Sequence, residues 1–373
     1  MLIYLLLFPV IGLFYVLFLN KQLASRGLFL GLSFGFLALV AAVRAPSVGT
    51  DVKTYQSLFL NTITGDVSIL TEKSEVYSLY NQILGYISHS PQIITAANSI
   101  IICVLTALFI YRIGVHELFA TYLFISMYFY ANSLNTARQY VAVAIVLNAL
   151  VFLLQKRYLP YFILILLAVG VHTSAIVGLT FLPISLIKWN RVWAIIFTFT
   201  MIIVGFLYNL LLTIFVSLFP VYQSYLSDTA NQGVGAGTTG KGAVLFYDLF
   251  LLLVFVGLFW AIRKWEIKLT DTEATLLALY SVSVVLGLIF YKVILFQRIM
   301  MFFSIIGIVA IPILCDKITA IFFQGKYARI WISIGIFAVT FAVYVIQLQK
   351  GYGGVTPYQT FDNITGLTFI FTR

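Results

Sequence analysis

Three side chains stand where an apolar chain gains little by placing them: Arg138, Arg298 and His172. Arg138 lies one residue into the apolar run 137–154, and Arg298 immediately precedes the run 299–315. His172 opens a run that begins at Ala175, with Thr173 and Ser174 as N-cap candidates. If these runs are helices, all three groups sit at helix N-termini. A cation there opposes the helix dipole by roughly 0.3–1 kcal/mol, so stability alone does not select three of them. Helix N-termini favour anions, and a guanidinium forks onto phosphate oxygens. The chemistry implied is the gripping of a phosphate or diphosphate group.

Neighbouring polar residues fit that chemistry. Asn135, Arg138 and Gln139 fall at i, i+3 and i+4, so they share one helical face. Arg44-Ala45-Pro46-Ser47-Val48-Gly49-Thr50-Asp51 follows another apolar run, and Pro46 and Gly49 end the helix there. Asp51 offers the one carboxylate near this cluster in sequence, and Tyr55 lies one turn beyond it. Asp51 or His172 is placed to take a hydroxyl proton, with His172 preferred because imidazole titrates near neutrality. Each residue also has a bland role. An arginine at a span end snorkels to headgroups, His172 caps a turn, and Arg44 pairs with Asp51. Their joint occurrence points to binding. With three histidines and two cysteines, Cys103 and Cys315, both inside apolar runs, no metal site and no cofactor is expected.

The elements that must position these groups follow from composition. Of 373 residues, 62% are hydrophobic and 9% charged, and the mean hydropathy is +1.05. A soluble domain is about half apolar and about a quarter charged. The chain therefore uses lipid as solvent. This excludes a soluble enzyme, a nucleic-acid-binding module and a disulfide scaffold. The net charge of +10 reports topology, since the basic residues sit mostly in short loops.

Apolar runs lie at 1–19, 27–43, 92–111, 118–130, 137–154, 160–171, 175–187, 192–219, 244–262, 275–291, 299–315 and 330–348. They are continuous, without the alternation of a β-barrel. Placing Lys21 and Arg26 in the cytoplasm and alternating gives a positive-inside protein, with Arg112, Lys156, Arg157, Lys188 and Arg191 inside. The segment between Arg157 and Lys188 must then cross twice, with about 12 residues, or roughly 18 Å of helix, each way. A broken re-entrant hairpin over 158–188 with His172 at its tip is expected, in preference to one long tilted helix. The fold class is thus an all-α polytopic membrane protein of about ten full spans plus that hairpin.

Three polar segments face outside: 44–90, 220–243 and 349–373. In the first, Tyr77, Tyr80, Leu84 and Ile87 suggest an amphipathic interfacial helix that admits a lipid tail sideways. The second contains Gly235-Ala236-Gly237-Thr238-Thr239-Gly240-Lys241, the opening of a P-loop. Gly242 follows where a Ser or Thr would bind magnesium, so the tract reads as a loop.

Val48-Gly49-Thr50-Asp51 with Tyr55, Asn135-x-x-Arg138-Gln139, the run ending in His172-Thr173-Ser174-Ala175, Gln297-Arg298 at a late span, and Pro357-Tyr358 occur in an order and spacing that resembles the EpsG family of Wzy-type exopolysaccharide polymerases. Gln297 stands where an acidic residue is common in that family. The resemblance spans nearly the whole chain. It implies a GT-C-like glycosyltransferase of the bacterial inner membrane with its active site facing outside. The substrates would be undecaprenyl-pyrophosphate-linked oligosaccharide repeats delivered by a flippase, with a chain-length regulator as a further partner. On this footing Arg138 and Arg298 hold the pyrophosphate with Arg44 as a third contact, and Asn135, Gln139, Tyr55 and Gln297 orient the substrate. The rival classes are a lipid-linked oligosaccharide flippase and a membrane O-acyltransferase. The former tends to show internal repeats, and the latter needs a polar cluster on the cytoplasmic side; neither is evident here.

Overall fold

The computed structural model describes residues 1–18, 23–65, 75–187, 269–290, 294–322 and 327–361, with a few isolated positions between 203 and 217. The expected runs 192–219 and 244–262, the loop 220–243 with its P-loop-like tract, and the tail beyond 361 lie outside the described residues or nearly so. The helices are α1 Leu2–Leu17, α2 Leu23–Ala42, α3 Val52–Thr64, α4 Glu75–Ile87, α5 Gln92–Ile113, α6 Glu117–Ser126, α7 Phe129–Asn135, α8 Ala137–Leu154, α9 Tyr158–Val171, α10 Phe181–Leu186, α11 Asp271–Phe290, α12 Ile294–Ser304, α13 Gly307–Phe322 and α14 Ala328–Gln349. Among the described residues the only extended pairing is a single bridge, Arg44 with Thr360. Four helices are long and apolar enough to span a membrane (residues 25–42 of α2, then α5, α8 and α14), or five if the bent pair α12–α13 counts as one. The chain divides into one unit of Met1–Gly178 with Ile330–Arg373, and a second of Leu179–Arg329.

In the first unit α8 is central. Beyond its first turn it is apolar but for Asn148, and 89% of its span is buried, against 11% for α14. The α2 and α5 helices run antiparallel. The Gln92 amide at the start of α5 donates to Ala42 O (2.7 Å) and Arg44 O (2.9 Å). At their other ends the Arg26 guanidinium lies 5.7 Å from the Tyr111 ring centroid and pairs with Glu117. Arg26, Arg112 and Glu117 thus share one end and Arg44 and Gln92 the other, as the alternating topology expects.

The run 118–130 is not one span. It divides at Met127–Tyr128, where Tyr128 takes φ 68°. A left-handed conformation costs a non-glycine residue roughly 1–2 kcal/mol. The surroundings hold it: the Tyr128 hydroxyl donates to Tyr352 O at 2.8 Å. A second break at Thr136 (φ −94°, ψ 51°) separates α7 from α8.

The expected reversal near residue 172 is present. His172 is extended (φ −148°, ψ 121°) and ends α9, and a 3-10 helix, Thr173–Thr180, follows. The chain doubles back far enough for the Tyr161 hydroxyl to donate to Gly178 O at 2.7 Å. A continuous helix would hold those residues more than 20 Å apart.

On α4 the buried face is Tyr77, Asn81, Leu84 and Gly85. Ile87, expected on the same face, is exposed, with Leu79, Ile83 and Tyr86 beside it. Tyr77 and Leu84 therefore pack on protein, and the outward apolar stripe is a different one from that expected.

The tail over 350–361 packs into the first unit. Tyr4 donates to Val355 O (2.8 Å) and Tyr358 to Val40 O (2.7 Å). Backbone bonds tie Ala45 N to Gln359 O (2.8 Å), Phe361 N to Val43 O (2.9 Å) and Gly49 N to Gly354 O (2.9 Å).

In the second unit, Thr270 and Glu273 form a capping box at the start of α11 (2.9 and 3.2 Å), and Glu273 pairs with Lys317 at 2.8 Å. The α12 and α13 helices meet at a 40° bend.

Candidate active site at the α7–α8 junction

The residues at 134–138 form a node for most of the sequence-derived candidates. Arg44 is 1% exposed. Its guanidinium donates to Leu134 O and to Ser99 Oγ, each at 3.0 Å, and to Ala41 O. Burial pushes its pKa down to about 10, still well above neutrality, so it remains a cation. Its partners are carbonyls and a hydroxyl. The pairing with Asp51 that sequence proximity allows is absent. Arg44 was also expected to touch substrate. Held by these three acceptors, the buried side chain ties the end of α2 to the α7–α8 junction.

Asn135 ends α7. Its Oδ1 accepts from the Thr50 hydroxyl (2.7 Å) and from Asp51 N–H (3.1 Å). The backbone donor identifies this atom as the amide oxygen. Asp51 stands at the N-cap of α3, yet its side chain makes no capping bond. Its carboxylate has only the Thr50 hydroxyl, at 3.2 Å, as a partner among the described residues. Tyr55 lies one turn further along α3, half-buried, its N–H bonded to Asp51 O at 3.1 Å.

Arg138 is the second residue of α8, as expected, and is 6% exposed. Its Nε donates to Val171 O at 2.9 Å, and its Cζ lies 4.8 Å from the centroid of the Tyr77 ring. Asn98 donates to the Tyr77 hydroxyl (3.4 Å) and accepts from that of Tyr80 (3.1 Å), which fixes the ring under the guanidinium. Gln139 is buried on the same first turn. The shared face expected for Asn135, Arg138 and Gln139 does not form as such, because the break at Thr136 puts Asn135 on a separate helix.

His172 follows the carbonyl that Arg138 grips. Its Nδ1 accepts from Ser174 N–H (3.3 Å) and lies 2.7 Å from Ser174 Oγ. A backbone N–H can only donate, so Nδ1 carries no proton and the neutral ring is protonated at Nε2. In that tautomer the Nδ1 lone pair is engaged and Nε2–H is a donor. His172 does not start an α-helix, since it ends α9 and caps a 3-10 turn.

Arg298 and Gln297 belong to the second unit. Arg298 is the fifth residue of α12 rather than the residue before a helix, because Ile294, Leu295 and Phe296 carry the helix back. The N-terminal placement inferred for it does not hold.

Several participants were not anticipated. Gln92, Thr95 and Ser99 fall at i, i+3 and i+7 of α5, and Asn98 lies beside them. The Gln56 amide donates to Thr95 Oγ1 (3.1 Å) and Gln92 Oε1 (3.3 Å). A polar stripe in an apolar run was the readable signal. The tail contributes Gly353 and Gly354 (φ 69° and 66°), which pass close to Asn135 and Thr50.

The arrangement is a cation on the first turn of a buried helix, with a carboxylate of little other employment on the residue whose N–H bonds Asn135, three positions before that cation. It suits binding an anionic group and moving a proton nearby. The EpsG family profile matches residues 27–360, the whole of this cluster included. No curated protein and no solved structure matches the chain. Apolar helices able to span a membrane, and a profile running from α2 to the tail residue that pairs with Arg44, make this chain a member of the EpsG family, which is associated with membrane polysaccharide polymerisation.

Proposed function

We propose that the protein is a GT-C-like glycosyltransferase that joins undecaprenyl-pyrophosphate-linked oligosaccharide repeats at the outer leaflet of the bacterial inner membrane. The supporting observation is that Asp51 N–H bonds Asn135, three residues before Arg138, at the α7–α8 junction. Arg138 lies on the first turn of α8, and Asp51 makes only one local contact.

An acceptor sugar hydroxyl attacks the anomeric carbon of the donor repeat. The new C–O bond forms while the bond to the pyrophosphate oxygen breaks. That oxygen leaves with the electron pair as undecaprenyl pyrophosphate, and the hydroxyl proton passes to the Asp51 carboxylate. Arg138 and the backbone N–H groups opening α8 stabilise the growing negative charge, which fixed dipoles and cations do without reorganising. His172 donates from Nε2 to a phosphate or sugar oxygen. Asn135, Gln139 and Tyr55 orient the sugars, and Arg44 holds the junction in place. Arg298 and Gln297 keep their substrate-binding assignment on sequence grounds. In this reading guanidinium groups neutralise the diphosphate without a metal.

The test is Asp51→Asn in cells. Loss of a general base costs about 10²–10⁴-fold in rate. The expected outcome is normal protein level, no polymer, and single lipid-linked repeats on the outer face. Repeats retained on the inner face would instead indicate a flippase, and polymer of normal length would remove Asp51 from the chemistry.

A further inference from the structure

The end of the first unit opposite the candidate site, about 24 Å along α8 from Arg138 at the helical rise, carries three cations with no part in that site. They are Arg112 in the last turn of α5, and Lys156 and Arg157 just after α8. All three are exposed. None has a carboxylate partner among the described residues, and the nearby Glu117 is taken by Arg26. A helix C-terminus supplies roughly half a negative charge, so the ends of α5 and α8 leave the patch at about +2.

The turn that ends α8 builds this patch. Lys156 N–H bonds Leu153 O and Arg157 N–H bonds Phe152 O, each at 2.8 Å. This is a Schellman turn with Lys156 at its left-handed position, φ 59°. Glycine is the usual residue there, and a side chain costs roughly 1–2 kcal/mol. Such a turn commonly closes with an apolar contact across it. Here that contact is Arg157 on Phe152, its Cζ 5.1 Å from the ring centroid. The Arg112 guanidinium comes from α5 to the same ring, at 5.6 Å. Local stability favours glycine at 156 and an apolar residue at 157. The chain instead holds two guanidinium groups on one ring with an ammonium beside them, a set of donors that suits a phosphate.

An exposed apolar strip starts two residues beyond Arg157. Leu159, Phe162, Ile163 and Leu166 fall at i, i+3, i+4 and i+7 of α9, away from its buried Tyr161, Ile165 and Ala168. Leu159 and Leu166 are 73% and 74% exposed, so the strip is open from end to end. It runs about 10 Å at the helical rise, within the roughly 15 Å depth of one leaflet. A soluble anion would satisfy the cations alone, and a neutral lipid the strip alone. An anionic phospholipid satisfies both, with its phosphate on the cations and its acyl chains along α9. We infer that the α8–α9 turn and the end of α5 form a binding site for an anionic phospholipid. The site stands apart from the reaction proposed for the other end of α8 and does not depend on it.

Purified full-length protein, delipidated in detergent and given phosphatidylglycerol or phosphatidylcholine, tests this by native mass spectrometry. The unaltered protein is expected to retain at least tenfold more phosphatidylglycerol, and equal retention overturns the inference. Arg112→Gln combined with Arg157→Gln is expected to lower that preference at least fivefold. Lys156→Gly separates binding from folding, because glycine relieves the turn while the charge is lost. Its thermal midpoint without lipid is expected to hold or rise, while its preference for phosphatidylglycerol falls at least twofold. A preference that survives in both variants overturns the inference. Displacement of the lipid by an equal concentration of soluble glycerol phosphate would make this a site for free anions. Equal retention of the two lipids, with binding of oligoglutamate that both variants lose, would assign the patch to an acidic protein segment. Either result overturns the inference.

Discussion

In the proposed mechanism Asp51 and His172 divide the proton chemistry according to what their nearest backbone groups do. Ser174 N–H holds Nδ1 of His172, so the ring presents Nε2–H as a donor. Asparagine at 172 can mimic Nδ1 and keep the Ser174 bond, whereas glutamine reaches further and can mimic the Nε2–H donor. His172→Gln is therefore expected to retain at least tenfold more polymerase activity than His172→Asn in a purified assay. Equal loss in both would mean that His172 serves only as a cap. The residue types at this site were legible in the sequence: Arg138, Asn135, Asp51 and His172 were all singled out there. Their roles were not, since the deciding partners are backbone carbonyls and amides (Leu134 O, Val171 O, Asp51 N–H, Ser174 N–H) that no side-chain pattern encodes. Arg44 illustrates this most plainly. It looked like a substrate contact or an ion pair with Asp51, and the fold spends it on Leu134 O and Ser99.

At the scale of elements, the loop between α2 and α3 and the α7–α8 junction are fitted to each other at one glycine. Gly49 has φ +102°, and a Cβ there would lie 2.7 Å from Leu134 O, the carbonyl that Arg44 grips. Gly49→Ala is expected to destabilise the protein by about 2 kcal/mol or more, lowering the thermal midpoint in detergent and reducing polymerisation with it. Gly335→Ala in α14, where nothing lies within 4 Å, is expected to be neutral or to stabilise by roughly 0.5–1 kcal/mol. A Gly49→Ala melt matching that of Gly335→Ala would show that the close approach carries no weight. The reversal at His172 was legible because two basic loops, with about 18 Å of helix each way between them, favour a return over one long tilted helix. The break at Tyr128 was not, because no glycine or proline marks it. The contact that holds it, from the Tyr128 hydroxyl to the tail carbonyl of Tyr352, joins residues more than 200 positions apart. The start of α12 was missed because Arg298 interrupts an apolar run without interrupting a helix.

For the whole molecule, composition declared the solvent and the sign of the loops set the expected orientation, while the packing of the 350–361 tail into the first unit had no local signature. Orientation is testable directly. His89 lies exposed between α4 and α5 on the expected outer side, and Lys156 lies exposed after α8 on the inner side. Cys103 and Cys315 are buried and are expected to stay silent. His89→Cys should react with an impermeant maleimide on intact cells, and Lys156→Cys only after permeabilisation; the reverse pattern would invert the topology and put the site on the cytoplasmic face. The account as a whole turns on Arg138 gripping a lipid diphosphate at the mouth of α8. Its most direct test is equilibrium binding of undecaprenyl diphosphate to the purified full-length protein in nanodiscs, unaltered and as Arg138→Lys and Arg138→Gln. The expected result is saturable binding, weakened at least tenfold by lysine because a point charge does not replace the fork, and more by glutamine. Equal affinity in all three proteins would contradict the account.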